Sequence, residues 1–366
     1  MRDYLKKYDV ELETVGPLFV GSGRELNKKE YLLRNNDIFV MDVPLLFSFM
    51  RKRGLLNDFE TFFLDEYKKD LFRFLKEKNV RTDEVSECIR YRIMQSDTSL
   101  ERGTPASVLE FIKDPYGYPY IPGSSIKGML RTILLATDIE THRGDLGLVK
   151  TQFRDALNHG GKRNTLLNRE THNLEVEAFN KLDRNTQNRG DAVNDVLSGL
   201  IVSDSEPLNV KDMVLCQRIE YHANGMEKNL NVLRECIKPG TKIHFTITID
   251  TLICPYSKED IMMAIKNFSE SYNKSFRTRF LKITPGKPDS VYLGGGVGFA
   301  SKTIVYPLFG QQVGLDMAVN IFDATNVPRQ HKHYLDRQKG VSPHILKVTR
   351  YSGKLYQMGE CKWKFV

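Results

Sequence analysis

The sequence predicts an α+β fold, and three stretches carry that prediction. Ile243, Phe245, Ile247 and Ile249 alternate with His244, Thr246, Thr248 and Asp250, the period-two pattern of a half-buried strand. Cys361, Trp363 and Phe365 alternate in the same way with Glu360, Lys362 and Lys364. Within the first half of the chain, Ile126, Met129, Leu130, Ile133 and Leu134 recur at i, i+3, i+4, i+7 and i+8, the stripe of an amphipathic helix. Each half mixes antiparallel-looking strands with one or two helices, and neither shows the strand–helix–strand series of a parallel sheet.

In chain order, residues 9–14 read as a first strand with Val10 and Leu12 on one side. It runs into Gly16-Pro-Leu-Phe-Val-Gly21-Ser-Gly23, where the glycines and proline impose irregular backbone. Residues 31–41 read as a hairpin turning at Asn35-Asn36-Asp37. A helix is expected over 45–53 after Pro44, and a second over about 58–78. The second presents Phe63, Tyr67, Leu71 and Phe74 on one face and a solvated face of Lys68, Lys69, Arg73, Lys76 and Lys78. Residues 80–120 read as strand and loop. The chain then breaks at Pro122-Gly123, caps with Ser124 or Ser125, and enters the helix named above. From Asn158 to Asn194 there are eight asparagines with Arg163, Arg169, Lys181, Arg184 and Arg189 among them, and periodicity is weak. Residues 140–195 therefore read as a polar, basic insertion, either a plain surface excursion or an arm that orders on RNA. Strands are expected at 199–204 and 213–221, a helix after Ser257, a strand at Val291-Tyr-Leu, and a helix near 314–324. A domain boundary near 208 divides the chain into 1–208 and 209–366.

The net charge of +8 and pI near 9.0 favour a polyanionic partner. No apolar run approaches the ~20 residues that span a bilayer. The N-terminus lacks the apolar centre of a signal peptide. Five scattered cysteines without a CxxC pair suit a reducing cytoplasm and speak against a disulfide framework or a structural zinc site. Gly296-Val-Gly-Phe-Ala-Ser301-Lys302-Thr303 misses the P-loop because Ser301 stands where a glycine is required. The same run misses the dinucleotide fingerprint because Phe299 occupies its last glycine position.

What survives is phosphate chemistry. Ser124, Ser125, Lys127 and Arg131 share one side of a helix start, where free N–H groups favour anions. Gly294, Gly295, Gly296 and Gly298, followed by Phe299 and Lys302, form a backbone that can lie flat against a ligand. Aromatic residues interleave with basic ones at Tyr116, Tyr118 and Tyr120 ahead of Lys127. Arg329-Gln-His331-Lys332-His333 is a basic loop. Its two histidines could act as acid and base in metal-free phosphodiester cleavage, but an HxH pair offers too few ligands for a metal. Asp204 and Asp250, at strand ends, read as turn residues, or as metal-binding or general-base aspartates.

Three stretches together resemble the RAMP superfamily, the repeat-associated RNA-binding proteins of CRISPR systems. Glu11–Gly23, with Gly21 and Gly23, resembles its opening strand and glycine turn. Tyr120–Arg131 resembles its signature loop and helix, and Gly294–Ser301 its C-terminal glycine-rich loop. Within the superfamily, Gln330-His-Lys-His, Val341-Ser-Pro-His344 and Leu200–Asp204 resemble the fifth subunits of type III-A Csm effectors. The resemblance implies two ferredoxin-like (RRM-like) domains and binding of crRNA near its 3′ end. It also implies contact with the repeated backbone subunit of the Csm complex, and a non-catalytic part in crRNA maturation alongside host nucleases. No cofactor or metal is expected. Processing relatives carry a histidine close to the first helix, where this chain has Ser124, Ser125 and Lys127. The alternative is a metal-independent RNA endonuclease of the same superfamily acting through His331 or His333.

Overall fold

The computed structural model describes residues 3–34, 36–65, 70–97, 107–141, 146–162 and 165–366. Strands β1 (Leu5–Thr14), β2 (Gly21–Leu26), β3 (Tyr31–Arg34) and β4 (Asp37–Met41) lead into helices α1 (Val43–Lys52), α2 (Leu56–Leu64) and α3 (Leu71–Glu77). Strands β5 (Ile89–Gln95) and β6 (Ser107–Phe111) precede α4 (Gly123–Thr141), α5 (Gly147–His159) and α6 (Asn168–Phe179). Next come β7 (Leu200–Val202), β8 (Met213–His222), β9 (Glu227–Ile237), β10 (Lys242–Asp250), α7 (Lys258–Ser275) and β11 (Ser290–Tyr292). The chain ends with α8 (Val305–Ala324), α9 (Asp336–Lys339), β12 (Ile345–Tyr351), β13 (Lys354–Gln357) and β14 (Glu360–Phe365).

These strands build two sheets. The first is five-stranded and antiparallel throughout, in the order β11-β14-β1-β10-β7. The alternation read from the sequence sets its faces. Val10 lies opposite Phe245 and Phe365, and Leu12 opposite Ile243 and Trp363. Val10, Leu12, Phe245 and Trp363 are buried. The other face carries Glu11, Glu13, Lys242 and Lys362, joined as surface pairs at 3.1 Å (Lys242–Glu11) and 3.2 Å (Lys362–Glu13). Such exposed pairs contribute at most about 1 kcal/mol each. Helices α4 and α7 lie side by side, and Ile126, Leu130, Ile133, Ile261, Ile265 and Phe268 share one core with the buried face of the sheet.

The second sheet runs β2-β6-β9-β8-β5-β4-β3, with β12 continuing along β8 beyond β5 and β13 outside β12. Its β6–β9 and β5–β8 pairings are parallel. Both sheets take strands from either side of residue 208. Helices α1 to α3 form a small separate core over β3 and β4, in which Phe62 stacks on Phe74 at 4.5 Å.

Several segments differ from the pattern reading. The helix expected over 58–78 is two helices, because Asp70 accepts the N–H of Arg73 at 2.9 Å and starts α3 afresh. Tyr67, Lys68 and Lys69 lie outside the described residues, as do Asn35 of the hairpin turn and Arg163. The stretch 140–195, expected to hold little regular structure, contains α5 and α6. They bury only Phe153 on α5 and Leu174, Ala178 and Phe179 on α6, too few for a clear stripe. The asparagines here tie turns: Asn194 Nδ2 donates to the carbonyls of Asn185 and Asn188 at 2.9 and 3.1 Å. Helix α8 starts nine residues earlier than expected, at Val305, and bends at Gly310 (φ 74°). It is buried on most sides, which erases amphipathic contrast. Strand β9 escaped the reading because its C-terminal half is buried on both faces.

Candidate nucleic-acid interface

Sheet register brings the three motif segments to one end of the five-stranded sheet. Strands β1, β7 and β11 run parallel to one another, each separated by an antiparallel neighbour. Their C-terminal ends therefore leave the sheet on the same side. From there the chain enters the Gly16–Gly23 turn, the Ser203–Asp204 turn that meets α4, and the glycine-rich loop. Strands β7 and β11 are opposite edges, and they end at different levels, β7 level with Tyr8 of β1 and β11 beyond Thr14, so the α4 start and the glycine-rich loop are separated across the sheet and staggered along it.

The α4 start is held by Asp204. Its Oδ1 accepts the N–H of Gly123 at 2.7 Å, so the cap comes from the exit of β7 and not from Ser124 or Ser125. The helix itself begins at Gly123, where a Cβ would stand 2.3 Å from the carbonyl oxygen of Val202. This close approach explains the glycine. Replacing Asp204 with alanine should cost about 1 kcal/mol through the lost cap. A shift of the urea midpoint at unchanged slope would report it.

Ser124 and Gly128 are exposed, and Ser125 and Lys127 half-buried. Burial and the neighbouring Arg131 lower the Lys127 ammonium below the usual lysine range, while Asp195 opposes them. Arg131 stands differently from the sequence expectation. Its Nε donates to Glu175 of α6 at 2.9 Å and its Nη1 to Asp195 at 2.5 Å. The guanidinium also lies 4.8 Å from the Phe179 ring centroid. Burial works against its charge, yet the hydrogen bonds to Asp195 and Glu175 outweigh it and hold its pKa above the usual arginine range. Arg131 is thereby engaged within the chain, and the groups at this helix start that remain for a phosphate are Ser124, Ser125 and Lys127.

On the other flank two glycine segments meet. Gly295 donates its N–H to the Phe19 carbonyl at 2.7 Å, and a Cβ on Gly294 (φ 81°) would lie 2.1 Å from that same oxygen. Gly359, just before β14, donates to the Pro17 carbonyl at 2.9 Å. Gly21 pairs with Phe111 on β6, and Gly23 (φ 86°) lies where β2 loses register and faces solvent. The Phe19 ring carries Arg234 of β9 at 5.1 Å. Arg234 is 8% exposed, and burial lowers its pKa. Its Nη1 reaches only the Met358 sulfur at 3.4 Å, and its Nε has no partner. Among the described residues no carboxylate pairs with Arg234 or with the exposed Lys302. Neither Phe19 nor Arg234 stood out in the sequence. An arginine in a strand buried on both faces has no signature until its neighbours are known.

Ring contacts extend this flank. Phe299 packs edge-on against Phe322 at 5.2 Å, and Phe322 meets His333 at 4.3 Å. His333 lies parallel to His331 at 6.1 Å. Exposed Arg329 and Lys332 belong to the same loop, and Arg329 lines a cavity of about 540 Å³ with Phe322, Pro328, His333 and Tyr334. The glycine-rich loop and the basic histidine loop thus share one side of the molecule. Asp250 ends β10 as a turn residue, accepting the Leu252 N–H at 3.0 Å.

Among the described residues no helix is long and apolar enough to cross a membrane. The RAMP superfamily profile matches residues 11–359. The chain is 29% identical to the CRISPR system Cms protein Csm5 of Mycobacterium tuberculosis, over 99% of this chain and 98% of that protein. It is 26% identical to the protein of the same name from Streptococcus thermophilus, over 98% and 92% of the two chains. A chain in a cryo-EM structure of a Csm–crRNA–target RNA ternary complex of a type III-A CRISPR-Cas system superposes with a TM-score of 0.64 at 19% identity, covering 98% of this chain and all of that one. The crystal structure of T. onnurineus Csm5 gives 0.53 at 19% identity, over 96% and 99%.

Proposed function

The chain belongs to the RAMP superfamily, and from that premise we propose that it is the crRNA-binding subunit at the 3′-end head of a type III-A Csm interference complex. In this role it contacts the repeated backbone subunit, supports crRNA maturation alongside host nucleases, and does not itself cut RNA. Relatives named Csm5 run the length of the chain, in keeping with this reading. The observation that carries it is the meeting of Gly294-Gly295 with Phe19. That contact joins two glycine segments, beside Arg234 and Lys302, neither of which has a carboxylate partner among the described residues. Ser124, Ser125 and Lys127 supply a second phosphate contact across the sheet end. The order β1-α4-β7-β10-α7-β14, with strands arranged β14-β1-β10-β7, supports a ferredoxin-like unit in this sheet.

The test is the purified chain with repeat-derived RNA in chelator, over a series of salt concentrations. RNA should be retarded and left intact. Lys127→Ala should reduce the slope of log K against log salt by about one. Arg131→Ala should change stability more than slope, since its guanidinium is paired within the chain. RNA that does not shift at low salt would sink the proposal. Cleavage that disappears in His331→Ala or His333→Ala would replace it with the metal-independent endonuclease.

A further inference from the structure

Four of the eight histidines gather beside the basic loop, and two of them share one carboxylate. Asp336 is fully buried. Its Oδ2 receives His333 Nδ1 at 3.0 Å and Ser342 Oγ at 2.7 Å, and its Oδ1 receives His344 Nδ1. His344 is also buried, while the side chain of His333 keeps 13% exposure and borders the cavity next to Arg329 and Tyr334. One donor atom from each of His333, Asp336 and His344 lies within 4.8 Å of the other two. The His222 ring stands 5.4 Å beyond that of His344. A buried carboxylate is satisfied by one imidazole and a hydroxyl. A second imidazole converging on it is more than its solvation requires, and the RNA-binding reading uses none of these three groups.

We propose that His333, Asp336 and His344 form a binding site for a divalent transition-metal ion, zinc foremost, with the fourth position open to water on the His333 side. Two imidazole nitrogens and one carboxylate oxygen are a donor set zinc accepts, at about 2.0–2.2 Å. Around a tetrahedral ion of that radius the donors stand roughly 3.3 Å apart, so closing this set asks for side-chain shifts of roughly 1 Å. Magnesium and calcium prefer sets made wholly of oxygen. Binding through Nδ1 leaves each imidazole proton on Nε2. Ser342 stays on the carboxylate and orients it, as outer partners of metal ligands do. The ion would clasp α9 to the start of β12 and hold the Arg329–Lys332 loop in place. The HxH reading found too few ligands because it paired His333 with His331. The second imidazole comes from His344, eleven positions after His333, and the third donor is the Asp336 carboxylate.

Untagged full-length protein, loaded with zinc or cobalt and desalted, tests the site. About one equivalent of metal should remain per chain, and the cobalt form should show the visible bands of a four-coordinate ion. His333→Ala, with its fold checked by circular dichroism, should bind at least about tenfold more weakly. X-ray absorption of the zinc-loaded wild type should find imidazole and oxygen neighbours and no sulfur. Wild type that retains no stoichiometric metal overturns the proposal. So does a sulfur neighbour, or a folded His333→Ala that binds as the wild type does. Should that variant fail to fold, the wild-type absorption spectrum decides alone.

Discussion

Replacing Glu235 with alanine is expected to cost about 3–5 kcal/mol of folding stability. Glu235 of β9 has a side chain with 0% exposure and faces Lys113, itself 6% exposed, at 2.5 Å. Its Oε1 accepts the Tyr91 hydroxyl of β5 at 2.8 Å, and its Oε2 the N–H of Phe111 of β6 at 3.0 Å. Lys113 also lies 4.6 Å from the Tyr91 ring centroid. Burial, with the Glu235 charge added, pushes the Tyr91 phenol well above its usual range. One carboxylate thus ties β5, β6 and β9 together. Alanine would leave the buried Lys113 ammonium with only the more distant Glu110, at 3.8 Å, as counter-charge, and breaking a buried pair from one side is the costly way. Lys113→Met combined with Glu235→Leu should cost less, because the close pair is then removed whole and Glu110, at 3.8 Å from Lys113, keeps the Ser22 hydroxyl. Urea unfolding followed by the fluorescence of the single tryptophan, buried Trp363, measures both. A loss below about 1 kcal/mol for Glu235→Ala would contradict the assignment of this pair as a buried lock.

Gly294→Ala should destabilise by about 2–5 kcal/mol, combining left-handed backbone at about 1–2 kcal/mol with overpacking at about 1–3 kcal/mol. The residue sits at φ 81°, and its new Cβ would meet the Phe19 carbonyl oxygen at 2.1 Å. Backbone cannot rotate away as a side chain would, so the two glycine segments must part. Gly298→Ala is the matched control. Its φ is 96°, but nothing lies within 4 Å of the added Cβ. It should cost only the backbone term, about 1–2 kcal/mol. If RNA lies against the loop backbone, Gly298→Ala should weaken RNA retention beyond what its stability explains. Gly294→Ala unfolding at the wild-type midpoint would refute the packing argument.

Legibility from sequence followed the locality of each signal. The helix after Ser257 was readable because its signal is local, and the capping box that Ser257 forms with Asp260 falls within one helical turn. The cap on α4 was not, because its acceptor, Asp204, lies 81 residues after Gly123. Strand β10 was readable because one of its faces is half-exposed, whereas β9 and α8 were obscured by burial on most sides. The asparagine-rich stretch suggested little regular structure because asparagine favours turns. Here those turns are fastened side chain to backbone around two short-faced helices.

By itself the sequence determined the α+β class, most element positions and the three motif segments, since a period of two or of 3.6 is written into adjacent residues. Only the tertiary structure decided partners. It set β1 between β10 and β14, brought the Gly16–Gly23 turn onto Gly294-Gly295, and gathered His333, Asp336 and His344. It also separated two cations that the sequence presents alike. Arg131 is neutralised by carboxylates 44 and 64 positions later, whereas Lys127, one turn earlier on the same helix, forms no such ion pair among the described residues. A charge is available to a ligand only when folding leaves it without a closer counter-charge, and that is a property of neighbours in space.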